Sequence, residues 1–296
     1  MKISTLSTWL LAIRPKTLMA SIAPVLIGTA MAFGDGVHDF PTAILCLLGA
    51  LCIQIGTNLA NDYFDFKKGA DTTERLGPTR VTQAGLISPN VVMIGFIIAF
   101  ILAAIVSTQL IKRGGWPITM IGVVSILSGI LYTAGPRPLG YLGLGEIFVL
   151  IFFGPVAVAG TYYVQSLEIN LAVILAGLAP GLFSVGILAV NNYRDMETDK
   201  KVNKKTLAVR FGASFAQREY LFSIILASLI PVLMYALMQD HLLILISTLV
   251  LIVAIPTMQT VLTKTDGPSL NSALAATGKI LLIYSIIFSL GWILNP

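Results

Sequence analysis

Nine stretches of mostly apolar residues run along the chain, separated by polar breaks: approximately 18–33, 42–61, 91–111, 118–133, 145–164, 171–191, 220–238, 242–262 and 274–294. A helix that crosses a bilayer needs roughly 20 such residues, so the pattern predicts an all-α, multi-pass membrane protein with nine transmembrane helices. The first stretch is short and holds Pro24, but no small-residue cleavage site follows a basic-then-apolar run, so it does not read as a signal peptide. Two polar segments are long, 62–90 and 192–219, and chemistry is expected there because short connections can only connect. Residues 1–296 read as one membrane-embedded domain.

Composition and charge sharpen this. Of the 296 residues, 56% are hydrophobic and 11% charged, whereas a soluble domain is about a quarter charged. The net charge of +5 would suit nucleic acid, but the basic residues lie between apolar stretches, as membrane orientation requires. With the N-terminus in the cytoplasm, every Lys and Arg except Lys112 and Arg113 falls on the cytoplasmic side and the C-terminus lies outside. The expected partner is the lipid bilayer, and neither nucleic acid nor an obligate protein partner is implied. Cys46 and Cys52 point to different helix faces and suggest no disulfide or metal site; His38 and His241 stand alone in expected loops.

The acids are not spread evenly. Asp62, Asp65, Asp71, Glu74, Asp195, Glu197 and Asp199 make up half of the 14 and fall in two short stretches on one side of the membrane. Carboxylates at the end of a spanning helix cost desolvation energy unless a cation is present. Asn61 and Asp65 share a face if the second helix continues through them, Gly69 would end that helix, and Asp71 can fold back toward the same face. Asn191, Asp195 and Asp199 fall on one face over two turns. The repeated N-[DN]-Y-x-D pattern offers two sets of hard oxygen ligands, which suits Mg²⁺ and phosphate oxygens. A diphosphate needs further positive charge, and Lys67, Lys68, Arg75, Arg80, Arg194, Lys200, Lys201, Lys204, Lys205 and Arg210 are the candidates.

These motifs resemble the UbiA superfamily of membrane prenyltransferases. The likeness starts at Arg14-Pro15-Lys16-Thr17 and continues through Tyr132-Thr133-Ala134-Gly135-Pro136, Gly143-Leu144-Gly145-Glu146 and Phe153-Gly154-Pro155. The acid at Asp71, with glycine at position 69, is similar to the 1,4-dihydroxy-2-naphthoate branch, as are the residues from Gly69 to Gly85 and from Leu270 to Lys279. The resemblance implies nine helices around a central cavity. It implies Mg²⁺ as two ions, held by Asn61, Asp65 and Asp71 and by Asn191, Asp195 and Asp199. Asp65, Asp71, Asp195 and Asp199 are the expected catalytic residues. The implied substrates are a polyprenyl diphosphate and 1,4-dihydroxy-2-naphthoate, joined with loss of the carboxylate to give demethylmenaquinone. Arg137, Arg80, Lys67, Tyr132, Tyr193 and Asn58 are the expected substrate-binding residues, with Tyr63 a further π-face for an allylic cation. The implied setting is a bacterial inner membrane, with the site near the cytoplasmic face.

Two rivals are weighed. Another aromatic acceptor, such as 4-hydroxybenzoate, would use the same machinery. A secondary transporter would also carry intramembrane acids, but near the bilayer midplane rather than at helix ends. The D-x-x-D-G-x-x-A-R signature of CDP-alcohol phosphotransferases is absent.

Overall fold

The computed structural model describes residues 5–71 and 76–295, and the regular structure among them is all helical. The elements are α1 (Thr5–Ile13), α2 (Pro15–Gly34), α3 (Phe40–Lys67), α4 (Pro89–Gly114), α5 (Trp116–Leu131), α6 (Gly145–Phe152), α7 (Pro155–Ser166), α8 (Leu171–Lys201), α9 (Leu207–Phe211), α10 (Ala213–Met238), α11 (Val250–Thr263) and α12 (Gly267–Leu294). Short 3₁₀ segments cover Leu139–Tyr141 and Leu242–Leu249. Helix starts follow local chemistry. Asp39, Asn170 and Asp266 cap α3, α8 and α12 by accepting the backbone N–H of Thr42, Val173 and Ser269. Pro sits in the first turn of α2, α4, α5 and α7, where its missing N–H costs nothing.

Among the described residues, eight helical units are long and apolar enough to cross a membrane. Two of them are jointed: α6 runs into α7 at Phe153-Gly154, and the 3₁₀ turn from Leu242 runs into α11. The fourth expected span is the exception. Helix α5 has 16 residues, about 24 Å against a hydrocarbon core of about 30 Å. The expectation of nine full spans therefore becomes eight plus one short apolar helix.

The second correction concerns the long segments. Helix α3 runs on to Lys67 and α8 to Lys201, so the expected 192–219 loop is largely α8, α9 and the start of α10. Gly69 (φ +67°) ends α3, with its N–H on the Phe66 carbonyl and the Ala70 N–H on that of Asp65. This turn brings Asp71 back beside Asp65.

The largest core lies among α2, α8, α10 and α12 around Ile27, Phe183, Tyr220 and Tyr284. Isoleucines such as Ile98, Ile105 and Ile252 stay exposed on the outer surface, as lipid contact requires. Helix α8 is held against α7 through glycines. A Cβ on Gly177 would lie 2.6 Å from Pro155 Cα, and one on Gly154 2.7 Å from the Gly177 carbonyl oxygen. Such small-residue crossings let helix backbones touch. Gly177→Ala is expected to cost about 1–3 kcal/mol through overpacking, read as a lower Tm in detergent; an unchanged Tm would show that the crossing has slack.

Candidate functional site

A cavity of about 370 Å³ lies among α2 to α8. Cys46 and Asp65 both line it from α3, so it extends about 28 Å along that helix. Val25, Cys46, Leu110, Ile118 and Val164 form its apolar floor. Its opposite end is polar, with Asn61, Asp65 and Arg80 on one side and Asn191, Asn192 and Lys204 on the other. The two motifs, 130 residues apart in sequence, thus face one space from α3 and α8.

The first motif is built around Arg80. Its guanidinium is buried, 3.2 Å from Asp65 and 3.3 Å from Asp71. Asp62, on another face of α3, accepts the N–H groups of Val81 (3.2 Å) and Thr82 (3.1 Å). It anchors the segment that carries Arg80, which is a structural role. Asn61 accepts the Thr133 hydroxyl at 2.9 Å. Asp65 also accepts the Tyr141 hydroxyl at 2.9 Å.

The second motif is held by Arg194. Its Nε and Nη2 grip both oxygens of Asp195 at 2.8 and 2.6 Å, Nη2 also reaches Asn191 Oδ1 at 2.8 Å, and Nη1 reaches Asn271 Oδ1 at 2.7 Å. Asp199 pairs with Lys204 at 3.2 Å. Asn61, Asp65 and Asn191 reach the cavity surface, while Asp71, Asp195 and Asp199 stand behind it, engaged by Arg80, Arg194 and Lys204.

The expected substrate-binding residues divide. Arg80, Tyr132 and Asn58 line the cavity. Asn58 also donates to the Ile13 carbonyl at 2.8 Å and the Thr17 hydroxyl at 3.0 Å. It thereby braces the turn at Arg14, a cavity-lining residue held at φ +56°. Lys67 is exposed and lies over the Tyr63 ring, away from the cavity. Lys68 is also exposed and outside the lining, but it is tied to the chain beside the cavity, donating to the Thr133 and Gly135 carbonyls at 2.6 and 2.9 Å. Arg137 is exposed and outside the lining. Tyr193 is buried away from the cavity, accepting from Gln217 at 3.2 Å, and Tyr63 packs on Phe64 and Phe96. Arg75 and Glu74 lie outside the described residues.

Sequence reasoning missed Tyr141, Asn192 and Asn271. Asn192 donates to the buried Glu146 at 2.9 Å. The glycine-rich run after Tyr132 was the available signal. A Cβ on Gly140 would lie 2.9 Å from the Tyr132 ring and one on Gly145 2.7 Å from its hydroxyl, so glycine is what lets the chain fold over that ring.

Residues 21–291 match the model of the UbiA prenyltransferase family. The chain belongs to that family. Among UbiA relatives, a protein of Escherichia coli named 1,4-dihydroxy-2-naphthoate octaprenyltransferase is 35% identical, over 99% of this chain and 97% of that one. One of the same name from Haemophilus influenzae is 39% identical over 70% of each. A UbiA homolog from Archaeoglobus fulgidus, solved bound to GPP and Mg²⁺, shares the fold, with a TM-score of 0.65 over 96% of this chain and all of that one at 17% identity. The UbiA assignment makes this chain a membrane-embedded prenyltransferase.

Proposed function

We propose that this chain transfers a polyprenyl group from a polyprenyl diphosphate to 1,4-dihydroxy-2-naphthoate. The acceptor's carboxylate leaves as carbon dioxide and the prenyl group takes its place on the ring, so the products are diphosphate, carbon dioxide and the hydroquinone, demethylmenaquinol, which a later two-electron oxidation turns into demethylmenaquinone. The observation that carries this reading is the pair of Asn/Asp motifs facing one another at the polar end of a long apolar cavity. The naphthoate as acceptor is supported by the names of the bacterial relatives.

The donor set fits Mg²⁺. Every motif donor is a hard oxygen, and among the described residues no group of three or more His, Cys, Asp or Glu stands ready to hold a metal alone. Substrate phosphates and water must complete the shell, which is how Mg²⁺ is ordinarily bound. Asn61, Asp65 and Asp71 would hold one ion, and Asn191, Asp195 and Asp199 a second. When bound, Mg²⁺ stabilises negative charge on the leaving diphosphate.

The protein's own groups do the rest. Arg80, Lys204 and Lys68 supply positive charge around the phosphates. Tyr132 presents its ring to the cavity, where an allylic cation would form. The apolar walls exclude the water that would quench that cation, and they bind the tail at about 0.8 kcal/mol per buried CH₂. We place this site at the cytoplasmic face of a bacterial inner membrane, with the N-terminus cytoplasmic. The Lys/Arg asymmetry supports that orientation, and Arg113, paired with Asp39 at 2.9 Å, marks the opposite end.

The test is an assay of purified protein with one polyprenyl diphosphate and either naphthoate or 4-hydroxybenzoate. Naphthoate should give prenylated product and diphosphate with kcat/KM at least about tenfold above benzoate, since a site built for one acceptor's polar groups rejects another. Equal or reversed preference would overturn the acceptor, and no diphosphate release with either would overturn the enzyme reading.

A further inference from the structure

Between α5 and α6 the chain makes a bridge, residues 132–144, across the polar end of the cavity. It is tied to both halves of the protein. On the α3 side, Lys68 donates to the carbonyls of Thr133 and Gly135, and Thr133 donates to Asn61. On the α8 side, the Lys205 N–H donates to the Tyr141 carbonyl at 3.0 Å and Arg210 donates to the Leu142 carbonyl at 2.8 Å. A Cβ on Gly143 would lie 3.0 Å from the Lys205 carbonyl oxygen, so bridge and α8–α9 turn are in close contact.

Tyr141 is the side chain through which this bridge touches both motifs. Its hydroxyl donates to Asp65 at 2.9 Å. Its ring lies 4.9 Å from Lys68 Nζ and 5.8 Å from Lys204 Nζ, within cation–π range of both. Lys204 in turn is the ion-pair partner of Asp199. A single aromatic side chain therefore joins Asp65 of the first motif, through Lys204, to Asp199 of the second.

We propose that Tyr141 is a positioning residue for diphosphate: it orients the Asp65 carboxylate through its hydroxyl and, through its ring, holds Lys204 at the cavity mouth and Lys68 beside it. This rests on the prenyl-transfer reading above. The two functions separate chemically. Tyr141→Phe keeps the ring and removes the donor to Asp65. Tyr141→Leu removes both.

The experiment uses the full chain in detergent and reads the rise in Tm as Mg²⁺ and inorganic diphosphate are titrated, alongside KM and kcat for prenyl transfer. Loss of a partner that orients a metal-binding group typically costs 10- to 100-fold in metal affinity. Tyr141→Phe should raise the Mg²⁺ concentration for half-maximal stabilisation about tenfold, with KM for the aromatic acceptor unchanged. Tyr141→Leu should in addition raise the diphosphate midpoint and the polyprenyl diphosphate KM by about tenfold or more. Wild-type midpoints in both variants would overturn the proposal, as would a loss confined to kcat. If Tyr141→Leu does not fold, the Mg²⁺ midpoint of Tyr141→Phe decides. A wild-type protein that magnesium diphosphate does not stabilise would instead sink the underlying reading, and this inference with it.

Discussion

Asp65→Ala is expected to lower turnover by at least about 10³-fold at saturating Mg²⁺. Asp65 is where three demands meet: it lines the cavity, pairs with Arg80 at 3.2 Å and accepts the Tyr141 hydroxyl at 2.9 Å. Removing one partner of a buried ion pair often costs 3–5 kcal/mol because it strands the other charge. Here Arg80 keeps Asp71 at 3.3 Å, so the damage to folding is softened. Asp65→Asn isolates the charge, since an amide oxygen still accepts from Tyr141 and the side chain keeps its shape. Both variants should remain membrane-inserted with a cooperative melt. Asp195→Ala and Asp199→Ala are expected to behave alike, but Asp195→Ala should destabilise more, because Arg194 then loses its bidentate partner. Turnover within tenfold of wild type in Asp65→Asn would remove the carboxylate from the mechanism.

Withdrawing divalent metal is expected to abolish turnover and to leave the fold untouched. Structural metals contribute to folding because the protein alone completes their shell. Nothing of that kind stands ready among the described residues, and the motif carboxylates already have Arg80, Arg194 and Lys204 as counter-ions. EDTA should therefore stop diphosphate release without lowering the Tm of the protein measured free of diphosphate, and added Mg²⁺ should restore the rate fully. A fall in Tm with EDTA would mean that metal is part of the resting structure. Turnover that persists in EDTA would mean that basic side chains alone carry the leaving group.

Much of this site was legible because its chemistry is periodic. The spacing of Asn61 and Asp65, and of Asn191, Asp195 and Asp199, states a helical face, and α3 and α8 supply it. Hydropathy misled in one respect: it reports where the chain leaves the lipid, not where a helix stops. Both motif helices continue past their apolar stretches, and their ends are set locally, by Gly69 just after α3 and by Lys200 and Lys201 in the last turn of α8. Of the three aromatic assignments Tyr132 lines the cavity, and the other two lie off it for a reason of phase. Tyr63 and Tyr193 each follow a motif Asn by two positions, about 200° round a helix, so neither shares the motif face. Tyr141 had no such pattern to announce it. Its place depends on a non-helical bridge whose path is set by contacts with Tyr132 and with the turn after α8, and no local periodicity encodes those. Lys67 and Lys68 show the same limit on a smaller scale, since one residue at a helix end decides whether an exposed lysine lies over Tyr63 or is tied to the Thr133 carbonyl.

Helix α5, with its 16 residues, forms part of the cavity wall through Ile121, Ser125 and Gly129. It is about 6 Å too short to match an average hydrocarbon layer. Acyl chains beside it must thin or tilt to meet its ends, at a fraction of a kcal/mol per Å. The surrounding lipid is therefore a mechanical component of the tunnel that takes the isoprenoid. Bilayers of longer or more ordered lipids load this wall more heavily than a flank whose helix matches their thickness.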